Sequence, residues 1–217
     1  MSRVSAEIAE APGLERSWWV RALLVLAAPR AIFASLRDES EEAVEGRQEI
    51  LLSVAVLAGV SVVLVSPTFR RMLNDGAVSV GLIPVLAFIA GASEATAVYW
   101  LGGGLLHGAA RRLGSEGTWL RARHVLALAS APLALSLLVF WPIRIAVYGE
   151  DLFRTGGYDY GTGDRIFGDL LYFAFAWSAL LLVIGVRSVH GWSWGRSLAT
   201  VALAAALPAL IVVATAY

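Results

Sequence analysis

The chain is built of long apolar runs joined by short polar connections. The runs keep neither the two-residue alternation of a half-buried strand nor the wet face of a soluble helix. Five of them, at about residues 50–66, 78–108, 125–142, 170–186 and 198–217, are long enough to cross a membrane. About 20 helical residues span a hydrocarbon core of about 30 Å, so the shortest runs sit at the lower limit. Lipid offers no partners to open sheet edges, and the runs lack the dyad pattern of a membrane barrel, so all five are predicted to be helical. The predicted fold is all-α: an integral membrane bundle of five transmembrane helices over residues 49–217, preceded by short amphipathic interfacial helices within residues 1–48.

The first 17 residues are polar and carry Glu7, Glu10 and Glu15. A cleavable signal needs a basic start and an immediate apolar core, so this segment is expected to be retained. The stretch at about 18–28 is apolar but too short to cross, and it stops at Pro29. It is expected to lie in the interface, with Trp18 and Trp19 at headgroup depth and Arg16, Arg21 and Arg30 reaching lipid phosphates. A second surface helix is expected at about 30–40, started by Pro29, with Ile32, Phe33 and Leu36 on one face and Arg30, Arg37 and Asp38 opposite. The acidic run Asp38 to Glu42 reads as a solvated face or linker.

Composition supports the membrane assignment. Hydrophobic residues make up 58% of the 217 and charged residues 16%, against about 45–50% and about 25% in soluble domains. Seventeen basic residues balance seventeen acidic ones, which gives no basis for nucleic-acid binding. There is no cysteine, which removes disulfides, thiolate metal sites and a cysteine nucleophile. Every basic residue is arginine, a usage that suggests a GC-rich bacterial coding sequence. Twelve of the seventeen arginines fall before the first run or in the connections that follow the second and fourth, and five fall on the other side. The positive-inside bias therefore predicts a cell-membrane protein with a cytoplasmic N-terminus and an extracytoplasmic C-terminus.

The second run is long enough to hide a turn at Gly91-Ala92-Ser93-Glu94, which would make six crossings. Each half would then be too short to span, and Arg111, Arg112, Arg121 and Arg123 would move outside. One long helix, bent near Pro84, is the expectation. It places Glu94 well inside the membrane, where a charged side chain costs roughly 2.5–3.5 kcal/mol. No arginine falls within the runs, so a hydrogen bond to Ser93, Thr96, Ser130 or Ser136 is the expected compensation, and Glu94 is the candidate functional residue of the interior.

The remaining chemistry is sparse. His107, His124 and His190 should share the cytoplasmic side, but even with Glu116 their spacing matches no metal motif, and no metal or cofactor is expected. Gly102-Gly103-Gly104 and the Gly104/Gly108 pair could admit a close helix. Glu150, Asp151, Asp159, Asp164 and Asp169 lie in an external loop without the spacing of a calcium loop. Nucleophile-elbow, zinc-protease and phosphate-loop motifs are missing, so no catalytic residues are assigned.

Three segments carry a family resemblance: Ala28-Pro29 to Phe33; His107-Gly-Ala-Ala-Arg-Arg-Leu-Gly114 with the Ala131-Pro132 break; and Trp177 to Gly191 continuing through Gly195-Arg196-Ser197-Leu198-Ala199. Together with the order of parts, they resemble the Yip-one (Ypt-interacting protein) domain family from about residue 20 onward. The resemblance implies a five-span membrane protein. Eukaryotic relatives act in membrane traffic and associate with prenylated Rab-type GTPases. Their Asp-Leu-Tyr-Gly-Pro-like signature is absent here, so GTPase binding does not carry over. The expected function is non-enzymatic: a scaffold or organiser that meets membrane lipids and other membrane or cytoplasmic proteins. Its candidate interfacial contacts are Trp18, Trp19, Arg21, Arg30, Arg111 and Arg112. The alternative is a small transporter or ion- or proton-conducting protein that uses Glu94. A reporter fused after Arg112 should read as cytoplasmic; an external signal there would contradict the five-span topology.

Overall fold

The computed structural model describes residues 14–73, 79–149, 152 and 162–216. The acidic loop residues Glu150, Asp151 and Asp159 fall outside these. Two short helices come first, α1 (Leu14–Leu24) and α2 (Pro29–Ala34), the latter continued by a 3-10 turn at Ser35–Arg37. Then come α3 (Glu41–Val65) and the short α4 (Pro67–Leu73). Next is a continuous rod of α5 (Ile83–Ala97), a π turn (Val98–Gly102) and α6 (Gly103–Arg112). The chain continues with α7 (Trp119–Ala129), α8 (Ala131–Tyr148), α9 (Thr162–His190) and α10 (Trp194–Ala216). Five rods among the described residues are long and apolar enough to cross a membrane: α3, α5 to α6, α7 to α8, α9 and α10.

The backbone passes through Gly91 to Glu94 as regular helix, so the second run is a single rod over Ile83–Arg112. Pro84 does not bend it. It occupies the first turn of α5, after a 3-10 turn at Val80–Leu82, where its missing N–H costs no hydrogen bond. The break in the third rod falls at Ser130, directly before the turn started by Ala131 and Pro132. The acidic run begins α3: Ser40 Oγ accepts from the Ala43 N–H at 3.4 Å, and Glu41 and Glu42 fill the first turn near the positive end of the helix. Asp38 Oδ1 accepts from the Ser40 N–H at 3.0 Å, which holds its carboxyl below the usual value of 3.8. This depressed value makes the contact present above the ordinary carboxylate range and lost as pH falls through the folded value.

Helix α3 is the centre of the bundle, packed by α5, α8, α7 and α1. Its tightest partner is α5. A Cβ on Gly91 would stand 2.5 Å from Val60 Cα, and one on Gly59 would overlap the Gly91 carbonyl oxygen, so only glycine permits this approach. Ala87 and Ala95 continue the seam, both buried. By contrast, Gly108 has nothing within 4 Å and Gly104 meets only the Trp119 side chain of α7, at an ordinary 3.6 Å, so neither glycine is needed for a close helix approach. On the other side of α3, Ser61 Oγ and Ser136 Oγ of α8 share a buried hydrogen bond of 2.8 Å.

The N-terminal helices are fastened to the bundle. Trp18, Ala22 and Val25 of α1 are buried, while Trp19, Val20, Leu23 and Leu24 are exposed. Phe33 and Leu36 are fully buried, so the apolar face expected to rest on lipid turns inward to protein. Gly185 of α9 makes room for the Phe33 ring: a Cβ there would stand 2.8 Å from Phe33 Cε1.

Gly91→Val should lower unfolding stability by about 1–3 kcal/mol through overpacking. Gly108→Ala should be neutral or stabilising by up to about 1 kcal/mol. Thermal unfolding in detergent micelles measures both; equal effects at the two sites would refute the α3/α5 seam.

Candidate functional site

Small residues on four helices leave space between them. Ala55, Ala58 and Gly59 of α3, Ala95 of α5, Ala127 and Ala129 of α7 and Ala179 of α9 line a cleft of about 280 Å³, near the lower end for small-molecule sites. Its polar side chains are Glu94, Tyr99, Ser130 and Ser178. Glu94 is exposed at the cleft rather than enclosed between helices. The hydroxyls expected to satisfy it are engaged elsewhere. Ser93 donates to Ile89 O at 2.8 Å, Thr96 to Ala92 O at 2.7 Å and Ser130 to Ala127 O at 2.7 Å, while Ser136 pairs with Ser61.

The arginines at the end of the bundle that carries α1 and α2 do structural work. Arg37 donates through Nε to Val189 O at 3.2 Å and through Nη2 to Ser188 O, which closes the C-terminus of α9. Arg196 caps α6 in the same way, with Nε on Leu113 O at 2.9 Å and its guanidinium 4.0 Å above the Trp192 ring. Arg121 pairs with Glu39 at 2.9 Å and donates to Arg37 O at 3.3 Å, which ties α7 to the segment before α3. Glu39 also accepts from Thr118 Oγ1, and Thr118 in turn caps α7 by accepting from the Arg121 N–H at 3.1 Å.

The π turn makes a seat for Arg123. Its guanidinium carbon lies 3.9 Å from the Trp100 ring centroid, 4.7 Å from Trp119 and 5.2 Å from Tyr99. Its side chain crosses Gly103 so closely that any Cβ there would overlap it. Deeper in lies Arg47, 1% exposed, donating through Nε to Nδ1 of the fully buried His124 at 3.2 Å. The Trp18 ring centroid lies 6.0 Å from its guanidinium carbon.

This placement of small-residue seams and five apolar rods agrees with a family match. The sequence model of the Yip1 domain matches residues 23–216. The chain belongs to the Yip1 domain family. It is a multi-pass membrane protein. No curated protein and no solved structure gives a significant match.

In this Yip1-domain protein the sequence-predicted residues divide. Trp18 is buried, with Arg21 4.7 Å over its ring, while Trp19, Arg30, Arg111 and Arg112 are exposed and Glu94 stands apart from all of them. His107 and His190 line a small pocket with Ser115 and Arg121, and His190 stacks on Trp192 at 4.4 Å. No group of three potential metal ligands occurs among the described residues. Sequence reasoning passed over Arg47 and Arg123 because both lie outside the apolar runs. The helices extend beyond those runs, and both arginines are buried within them. A signal was available for Arg47: Ile50, Leu51, Val54, Ala55 and Ala58 repeat at helical spacing from it along the buried stripe of α3.

Arg123→Lys keeps the charge but loses the planar stacking surface. It should cost about 1–2 kcal/mol in thermal unfolding, the range of desolvated cation–π contacts. Arg111→Ala and Arg112→Ala should stay within about 0.5 kcal/mol of wild type; a similar loss at all three would deny Arg123 its special seat.

Proposed function

We propose that this Yip1-domain protein is a non-enzymatic scaffold of the cell membrane, oriented with its N-terminus in the cytoplasm. It holds α1 at the interface for contact with lipids and with other proteins. The observation that carries this reading is the two-sided packing of α1. Trp18, Ala22 and Val25 fix the helix to the bundle, while Trp19, Val20, Leu23 and Leu24 are left as an outward apolar face. A helix fastened on one side and apolar on the other presents a rigid surface, so a partner or lipid meets it without the cost of ordering a free segment. The clustering of arginines at the same end supports the orientation.

A second reading, a small transporter or ion conductor, is favoured by the presence of Glu94 at an intramembrane cleft. Against it stands the lining, which is apolar except for one carboxyl and three hydroxyls. An ion path needs more replacements for lost hydration than these supply.

Photo-crosslinkers placed singly at residues 18, 19 and 23 of the full chain in native membranes test the scaffold. Positions 19 and 23 should give lipid and protein adducts, and position 18 should give internal ones; absence of external adducts at 19 and 23 would remove the reading. In reconstituted vesicles, proton or cation flux should match protein-free vesicles for both wild type and Glu94→Gln. Wild-type flux abolished by the substitution would establish the transporter instead.

A further inference from the structure

Arg47 poses a chemical problem that its surroundings leave unsolved. It is 1% exposed, and neither Nη1 nor Nη2 has a hydrogen-bond partner. An arginine side chain keeps its positive charge in proteins, and a buried charge without acceptors is strongly unfavourable. Its one side-chain hydrogen bond, Nε to His124 Nδ1, uses the imidazole as acceptor and leaves Nε2 as the donating nitrogen. His124 Nε2 also has no partner. Nearby, the Tyr99 hydroxyl and Arg123 Nε are likewise buried and unpartnered. The region thus holds two guanidinium groups, a ring N–H and a phenol; Asp38 and Glu39 lie close enough to favour the Arg47 charge, but neither hydrogen-bonds its terminal nitrogens. Glu39 is held by Arg121 and Thr118, and Asp38 accepts from the Ser40 backbone.

We infer that Arg47 and His124, beneath Trp18 of α1, form a binding site for a phosphate oxyanion. Phosphate suits the donors: it offers several acceptor oxygens and pairs with the two terminal nitrogens of one guanidinium fork. The site is roofed by Trp18, whose helix turns its other face, Trp19, Val20, Leu23 and Leu24, outward. A phospholipid suits these donors: its headgroup phosphate would reach the enclosed Arg47 once α1 lifts from α3, with its chains lying along the exposed face of α1. Free phosphate has the same oxyanion chemistry but makes no use of that apolar face. The inference is independent of which proteins meet α1.

The test uses the full chain, delipidated in detergent and titrated by native mass spectrometry with phosphatidylglycerol, phosphatidylcholine or inorganic phosphate. Wild type should retain one phospholipid, and Arg47→Met should lose at least tenfold in affinity. Arg165→Met, the same charge change at the opposite end of α9, should leave it unchanged. Should Arg47→Met fail to give a monodisperse, helical protein, Arg47→Lys and Trp18→Ala replace it. The first should weaken retention by loss of the fork, and the second should speed lipid exchange by removing the roof. Arg47-dependent binding of inorganic phosphate without phospholipid retention would keep the oxyanion site and assign a free ion as its ligand. Retention of every probe unaffected by Arg47→Met, Arg47→Lys and Trp18→Ala would overturn the site, as would no binding of any probe to wild type.

Discussion

The contact between α3 and α5 at Gly59 and Gly91 brings two backbones closer than any side chain allows, and the other rods are arranged around this pair. In lipid the helices gain little from leaving one apolar medium for another, so close van der Waals packing and a few hydrogen bonds hold them together. The glycine seam supplies the first and the Ser61/Ser136 bond supplies one of the second. Fixing α5 against α3 also sets where Glu94 and Tyr99 stand relative to α7 and α9, and hence the cleft among them.

The arginines belong to a second layer of organisation. Arg30, Arg111 and Arg112 are exposed, while several others have a structural role. Arg37 and Arg196 close helix ends, Arg121 bridges α7 to Glu39, and Arg123 and Arg187 lie over indole rings. These arginines at the connections between rods therefore help complete the folded bundle. Arg47 differs, since most of its donors are unanswered by protein.

Hydropathy revealed the five rods because lipid imposes one dominant requirement on every span, whatever its neighbours. Helix partners were harder to read. Among 21 glycines the two at the seam, Gly59 and Gly91, carry no local mark that separates them from Gly104 or Gly108. Pro84 was legible as a proline near a helix start, but whether it bends or begins the helix depends on where the first turn falls. Phe33 and Leu36 form a stripe that would suit lipid or protein equally, and only the gap at Gly185 selects protein. Arg47 and Arg123 fell outside the apolar runs, since a composition window ends before the helix does.

The π turn at Val98–Gly102 has a consequence for insertions and deletions. One extra residue in a helix rotates everything after it by about 100° relative to what came before. The turn absorbs that rotation, so α5 can keep its glycine seam on α3 while α6 presents Gly103 to Arg123. Deleting one residue elsewhere in the rod would turn one of these faces away from its partner. Deletion within the π turn would restore a regular helix with both faces still in phase and disturb only the Tyr99 and Trp100 rings beside Arg123, which makes this segment the phase adjuster of the second span.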